Sequence, residues 1–489
     1  MEKKELKPAG VFSFFDEICQ VPRPSKHEGQ MIAYLQKFGQ KYGIETHTDE
    51  AGNVLMRKPA TPGMENRVTV ALQSHIDMVC DKRSDTKHDF LKDPIRTEID
   101  GEWLKAVGTT LGADNGIGVA TELAILADDS IPHGPLECLF TVDEETGLTG
   151  AFALKPGVLK AGILLNLDSE DEGQIFIGCA GGVDTIGEWS YTEEAVPAGY
   201  YTACVEVKGL LGGHSGGDIH LQRACANKLL CRYLTKIGKQ TDLLICEIDG
   251  GNLRNAIAAA AKAVIAVPAD DKHLLSTVLN QFVAEAKAEF AVSDPGLEMQ
   301  LHTEAPRQTA IDRETAAKVL QTLYALPHGV YAMSQDVEGL VETSSNLASV
   351  KMHPDHKIVI CTSQRSSANS SKEDIATMVE TVMQLGGGKV EHSDGYPGWK
   401  PNPKSAILQI ARESYCRLFG KEPLVLAIHA GLECGLFLDK YPGLDMISFG
   451  PTLRDVHTPN ERMLIPTVEL FWKHLLDILA HIPEKDQSA

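Results

Sequence analysis

"GPLECLFTVDEETG", residues 134–147, is an apolar run that ends in three adjacent carboxylates, Asp143, Glu144 and Glu145. Its length and the Gly-Pro that opens it read as a buried strand with an acidic triplet at its end. Like charges that close repel, and burying even one costs several kcal/mol unless a proton or a cation neutralises it. The triplet is therefore a solvated turn, or something positive sits beside it.

Four other places in the chain end an apolar, strand-like run with a group able to hold a metal. They are "ALQSHIDMV" (71–79) with His75 and Asp77, "TTLGADNGIG" (109–118) with Asp114, "GILLNLDSE" (162–170) with Asp168, and "SFGPTLRDVHTPNE" (448–461) with His457. Each has a plain reading: a hydrogen-bonded histidine, a helix N-cap at Asp114, a turn aspartate. Those readings must hold at all five places at once. The surrounding patterns alternate, with helices expected in "VFSFFDEICQ" (11–20) and "EGQMIAYLQKFGQKYG" (28–43) and strands in "RVTVALQSHIDMV" (67–79) and the opening stretch. This is α/β order with a largely parallel or mixed sheet, in which strand ends converge on one crevice.

The converging set is rich in nitrogen and oxygen ligands and holds no thiolate. That chemistry suits Zn²⁺, Mn²⁺ or Co²⁺, and two ions if a carboxylate bridges. In the His-x-Asp spacing, Asp77 is placed to take the second ring N–H of His75 and fix its tautomer. Two adjacent glutamates can divide the work, with Glu145 on the metal and Glu144 facing the attacking water as base.

Bulk properties narrow the classes. A chain of 489 residues with 43% hydrophobic content predicts at least two domains. Asp and Glu outnumber Lys and Arg by 67 to 46, a net charge of -21, which argues against nucleic acid or an anionic membrane as partner. The 11 cysteines are scattered without a C-x-x-C, which fits reduced thiols and a cytoplasmic location. The N-terminal apolar run "VFSFF" (11–15) is too short for a signal peptide, and no stretch approaches the roughly 18 apolar residues of a membrane span. From about 186 the pattern changes character, through "YYTACVEVKGLLGG" (200–213) and the helical "DIHLQRACANKLLCRYLTKIG" (218–238). "YPGWKPNPKS" (396–405), with three prolines, reads as the return. The expected division is 1–185 with 397–489 as one domain and 186–396 as an insert, the tail "PEKDQSA" (483–489) being frayed.

Taken together, "SHIDMV" (74–79), "GADNGIG" (112–118), "VDEETGLTG" (142–150), "NLDSE" (166–170), "GCAGG" (178–182), "GGHSGGDIH" (212–220) and "HAGLECG" (429–435) resemble the M20 metallopeptidase family, in particular its aminoacyl-histidine dipeptidase (Xaa-His dipeptidase, carnosinase-type) branch. The resemblance implies a two-domain α/β fold: a catalytic domain with a mixed, mainly parallel sheet, and an inserted α+β lid domain that also dimerises. It implies two divalent ions, zinc by default with manganese or cobalt open. His75, Asp114 and Asp168 would hold one, and Asp114, Glu145 and His457 the other. Glu144 is implied as general base and Asp77 as the carboxylate orienting His75. His214 is implied as the oxyanion donor and Arg365 as the binder of the substrate's terminal carboxylate. Asn252, Arg254, Asn255, Asn346, His429 and Glu433 are implied as further cleft residues. The implied activity is hydrolysis of dipeptides, Xaa-His and carnosine included, by a homodimer.

Other classes stay open at this level. "GHSGG" (213–217) satisfies G-x-S-x-G, so a serine hydrolase built on Ser215 with His457 as base is a rival. A non-catalytic metal-binding protein, an N-acyl-amino-acid amidohydrolase and a tripeptidase are others. Chelation by phenanthroline or EDTA is expected to abolish hydrolysis, and a fluorophosphonate to leave it intact. The reverse pattern would select Ser215.

Overall fold

A computed structural model describes residues 6–485. Of the tail expected to fray, 486–489 lie outside the described residues, while Glu484 still bridges Arg67 and Lys485 N–H donates to Asn66 O at 2.8 Å. The chain divides into two compact units. One comprises Met1–Gly178, Pro401–Ala427 and Leu432–Ala489; the other comprises Cys179–Lys400 and Ile428–Gly431. Ile428–Gly431 groups with the second unit through backbone bonds from Ala180 N–H to Ile428 O and Ala430 O.

The first unit is built on an eight-stranded mixed sheet. Its four central strands, Leu136–Thr141, Val70–His75, Ile163–Asn166 and Asp445–Ser448, run parallel and are paired in that order. Antiparallel strands flank them: Glu45–Thr48 and Val54–Lys58 on one side, Gln174–Cys179 on the other. Leu136–Thr141, Val70–His75 and Ile163–Asn166 are buried along their whole length, as strands covered on both faces must be. Helix Ala9–Cys19 buries Val11, Phe12, Phe14, Phe15 and Ile18 at helical spacing and packs on helix Ala113–Ala127. That second helix is buried almost all round and lies against Val70–His75. Parallel pairing puts the C-terminal ends of four strands at one edge, so the segments after His75, Thr141, Asn166 and Ser448 start close together.

The second unit carries a nine-stranded antiparallel sheet. Val341–His353, Lys357–Ser366 and Gly181–Ser190 are adjacent in it, with Lys389–His392 at the edge beyond them, and helices Ala226–Gly238 and Asn369–Leu385 pack on the sheet. Among the described residues no helix is long and apolar enough to cross a membrane.

In the closing helix Ile465–Ala480 of the first unit, His474 packs edge-on to Tyr415 and Phe449, each with centroids 5.1 Å away, with Nε2 2.8 Å from Ala411 O. Burial pushes its pKa down to about 4, against about 6.5 unfolded. Only the unfolded chain then binds a proton between those values. His474's contribution is therefore complete above about pH 6.5 and is lost as pH falls towards 4, about 3 kcal/mol in all. Urea unfolding of chelator-treated protein should show this acid loss, and His474→Gln should flatten it. Equal slopes in both proteins would assign the sensitivity elsewhere.

Candidate metal centre

His75 is buried at the end of its strand, with Nε2 3.1 Å from Asp114 Oδ1 and 3.4 Å from Asp168 Oδ1. His457 places Nε2 3.1 Å from Asp114 Oδ2 and 3.0 Å from Glu145 Oε2. Asp114 thus offers one oxygen to each imidazole. The five residues fall into two groups that share it: His75 with Asp168, and His457 with Glu145.

Local structure explains the aim of each side chain. Two residues past Thr141, the register partner of His75, the backbone turns at Asp143 (φ +51°) into the short helix Glu144–Gly147. Asp143 is drawn aside, accepting from the Thr146 and Thr149 hydroxyls. The Glu144 and Glu145 N–H groups donate to the Asp77 carboxylate at 3.0 and 3.3 Å. That carboxylate also accepts from Ser25 Oγ at 2.8 Å and faces His75 Nδ1 at 3.4 Å. The Asp77 carboxylate thus holds the acidic turn, and His75 Nδ1 lies 3.2 Å from the Asp77 backbone O, which leaves Nε2 free to face Asp114 and Asp168. His457 is held at φ +63°, a conformation costly for a residue with a Cβ.

Asp114 is not the N-cap of its helix. The helix runs on regularly only beyond Asn115, whose Oδ1 accepts the Gly118 N–H at 3.2 Å, while Asp114, with an extended ψ of 113°, turns its oxygens to the two histidines. Glu461 holds the loop: Oε2 accepts the N–H groups of Leu111 and Gly112 at 2.7 and 2.9 Å, and Oε1 those of Ala113 and Asp114 at 2.7 and 3.3 Å. Buried Arg23 donates from the other side to Ile76 O, Asp77 O and Gly112 O at 3.1, 3.0 and 2.5 Å. A Cβ at Gly112 would stand 2.5 Å from the Arg23 guanidinium. Sequence reading assigned neither Arg23 nor Glu461. The available signal was Glu461's place four residues after His457.

The electrostatics describe a site short of positive charge. Burial pushes the Asp168 carboxyl up to about 7 against the pull of His75, and burial likewise holds Glu144 well above the carboxylate range. Hydrogen bonds to Asp114 and Glu145 push His457 up to about 11. His75 is raised well above its usual value, because Asp168 and Asp114 outweigh burial. Donor atoms of His75, Asp114 and Glu145 lie within 4.8 Å of one another, and the second oxygen of Glu145 is buried without a hydrogen-bond partner. An all-N/O donor set, an orphaned carboxylate oxygen and a negative potential that drives imidazoles to bind protons fit divalent cations.

The remaining expected residues divide between the units. Glu433 is buried in the first, its Oε2 accepting from Gln73 Nε2 at 2.6 Å and Thr141 Oγ1 at 2.9 Å. In the second, Arg365 is buried with Nε on Ser215 Oγ at 3.3 Å and Nη1 on Tyr396 OH at 2.8 Å. Ser215 is therefore partnered by a guanidinium rather than by a histidine base. Tyr396 was read from sequence only as part of the proline-rich return. A Cβ at Gly182 or at Gly431 would come within 2.8 Å of its ring, which gives "GCAGG" and "HAG" a physical reason. His214 Nδ1 accepts N–H from Gly216 and Gly217 at 3.2 and 2.9 Å, which puts the ring proton on Nε2. Burial and the Arg365 charge keep that ring neutral. The same two causes push His429 down to about 3, with Nε2 on Ser344 Oγ at 2.7 Å. Asn346 donates to Ala256 O at 2.8 Å and Arg254 pairs with Asp184 at 2.9 Å. Asn252 is exposed, as is Asn255, and its Oδ1 is taken by Lys351 Nζ at 2.9 Å, so it stands apart from the Arg365 group.

Comparison with known proteins gives one answer. A sequence model of peptidase family M20/M25/M40 matches residues 71–481. The chain is 45% identical over 484 residues to the cytosol non-specific dipeptidase of Escherichia coli strain K12, covering 99% of this chain and 100% of the relative. It is also 45% identical to the solved aminoacylhistidine dipeptidase of Vibrio alginolyticus, with a TM-score of 0.93 and 99% of each chain covered. The aminopeptidase PepT of Bacillus cereus shares the fold at 17% identity, with a TM-score of 0.56 over 98% of this chain and 99% of that one.

Glu461→Gln should raise the apparent metal dissociation constant about 10- to 100-fold, measured by competition with a chelating dye, with the far-UV circular dichroism unchanged. Metal binding as tight as in the unaltered protein would take Glu461 out of the site's support.

Proposed function

The chain belongs to peptidase family M20/M25/M40 and is a metallopeptidase, and from that premise we propose that it hydrolyses dipeptides, Xaa-His and β-alanyl-histidine (carnosine) among them, at a dinuclear centre. The observation that carries the proposal is the Asp114 carboxylate, one oxygen towards His75 and the other towards His457. The names of the two relatives at 45% identity support the substrate class.

Held by His75, Asp114 and Asp168 and by Asp114, Glu145 and His457, two divalent cations would polarise the scissile carbonyl and lower the pKa of a water. Zinc is the default, and manganese and cobalt satisfy the same donors. Glu144 takes the proton of the attacking water and returns it to the leaving amine. Its burial, which raises its affinity for a proton, suits that role. Asp77 keeps the turn that carries Glu144 in register through the two N–H bonds it accepts. His214, neutral with its proton on Nε2, is suited to donate to the developing oxyanion. Arg365, fixed by Ser215 and Tyr396, is suited to a terminal carboxylate, which limits the length of the substrate. His429, Asn346 and Arg254 belong to the same reading as further cleft residues, whereas Asn252, taken by Lys351, does not serve the carboxylate-binding group. The homodimer and the lid role of the second unit belong to the same reading.

The test is a hydrolysis panel on metal-loaded protein: carnosine, Gly-His, Ala-Ala, a tripeptide and an N-acetyl amino acid. The dipeptides should be cleaved fastest. A preference for the tripeptide or the N-acetyl compound would move the assignment to a tripeptidase or an amidohydrolase. Glu144→Ala should keep its metals and lose about 10²- to 10⁴-fold in kcat; undiminished turnover would refute the base.

A further inference from the structure

Glu433, in the first unit, is a buried carboxylate used by neither the proposed ligand set nor the proposed base. It opens helix Glu433–Lys440 and is 1% exposed. Oε2 is anchored by Gln73 Nε2 and Thr141 Oγ1. Gln73 is itself oriented by Asn166 Nδ2, which donates to its Oε1 at 2.6 Å. Gln73 lies two residues before His75 on the same strand and so shares its face, and Thr141 is the register partner of His75. These contacts fix the carboxylate at the strand ends that carry the metal ligands. Burial and the Asp168 charge push Glu433 up to about 8 against the pull of His75, and its own charge is felt at Glu144.

Oε1 has no hydrogen-bond partner. A buried acceptor left over beside other carboxylates calls for a cationic donor. A dipeptide carries one: its terminal ammonium sits one carbon from the scissile carbonyl, within a few ångströms of wherever that carbonyl is cleaved. An N-acyl amino acid offers a neutral acyl group at the same place.

We propose that Glu433 Oε1 receives the free terminal ammonium of the substrate, making Glu433 the residue that selects peptides with a free amino terminus over N-acyl amino acids. The inference rests on the dipeptidase reading above and names the determinant of its substrate class.

Glu433→Gln tests it, with metal content and circular dichroism as controls. The readouts are kcat/KM for Ala-Ala and the inhibition constant of N-propionyl-alanine, which has the same skeleton without the amine. Loss of a buried charge partner should lower kcat/KM for Ala-Ala about a hundredfold and leave the inhibition constant within about threefold. Glutamine has the shape of a protonated glutamate, so an unchanged kcat/KM would mean that Glu433 holds a proton and no ammonium, and would overturn the proposal. So would equal losses on both compounds, which mark a structural role. Glu433→Asp gives an independent reading, because it withdraws the carboxylate by one methylene while β-Ala-Ala extends its ammonium by one. The preference for β-Ala-Ala over Ala-Ala should rise about tenfold, and an unchanged preference counts against the proposal. If the unaltered protein cleaves N-acyl amino acids and ignores Ala-Ala, the dipeptidase reading itself fails. If it cleaves Ala-Ala and Glu433→Gln does so equally, only this inference fails.

Discussion

One carboxylate between two imidazoles is the constraint on which the first unit turns. Asp114 faces His75 and His457 at once from a backbone held away from helical geometry, and a loop in that state needs external partners for its amides. Glu461 takes four consecutive N–H groups and Arg23 takes carbonyls from both the Asp114 and the His75 loops. Two buried side chains of opposite charge thus bind backbone rather than each other. The dipoles they satisfy offset the cost of their burial.

Parallel pairing supplies the rest of the geometry. In a parallel ladder the strands end at a common edge, and here polar residues replace the apolar ones on reaching it. Gln73, Thr141, Asn166 and Ser448 form a connected network, with Asn166 accepting from Ser448 and donating to Gln73. Such a network is rigid when its members are paired, and it sets the floor on which His75, Asp168 and Glu433 stand. The second unit uses another device. Glycines at 182 and 431 clear the space for one aromatic ring, and the Tyr396 hydroxyl then aims the Arg365 guanidinium.

How much of this was legible depended on whether a residue's signal is local. His75, Asp168 and the Asp143–Glu145 triplet each interrupt an apolar run, and a polar group in that position is visible without a fold. Asp114 was equally consistent with a helix cap, and its extended backbone would suit one; its two oxygens face the histidines instead, and Asn115 Oδ1 takes the Gly118 N–H. Arg23 and Tyr396 carried no local signal, and Glu461 only its nearness to His457, because each acts on backbone or side chains distant in sequence. Asn252 and Arg365 both lie in polar stretches that look alike as strings, yet one is taken by a surface lysine and the other is buried beneath a tyrosine.

The sequence by itself determined the α/β class, the family and the types of donor atom, since hydrophobic period, motif spacing and residue chemistry are all written along the chain. Only the tertiary structure decided which oxygen of Asp114 faces which histidine, that the Asp77 carboxylate accepts from the turn of Glu144 and Glu145, and that one oxygen of Glu433 is left without a partner. Those are matters of ångströms and angles between residues tens to hundreds of positions apart, and burial and hydrogen-bond saturation settle them only once the whole core has packed.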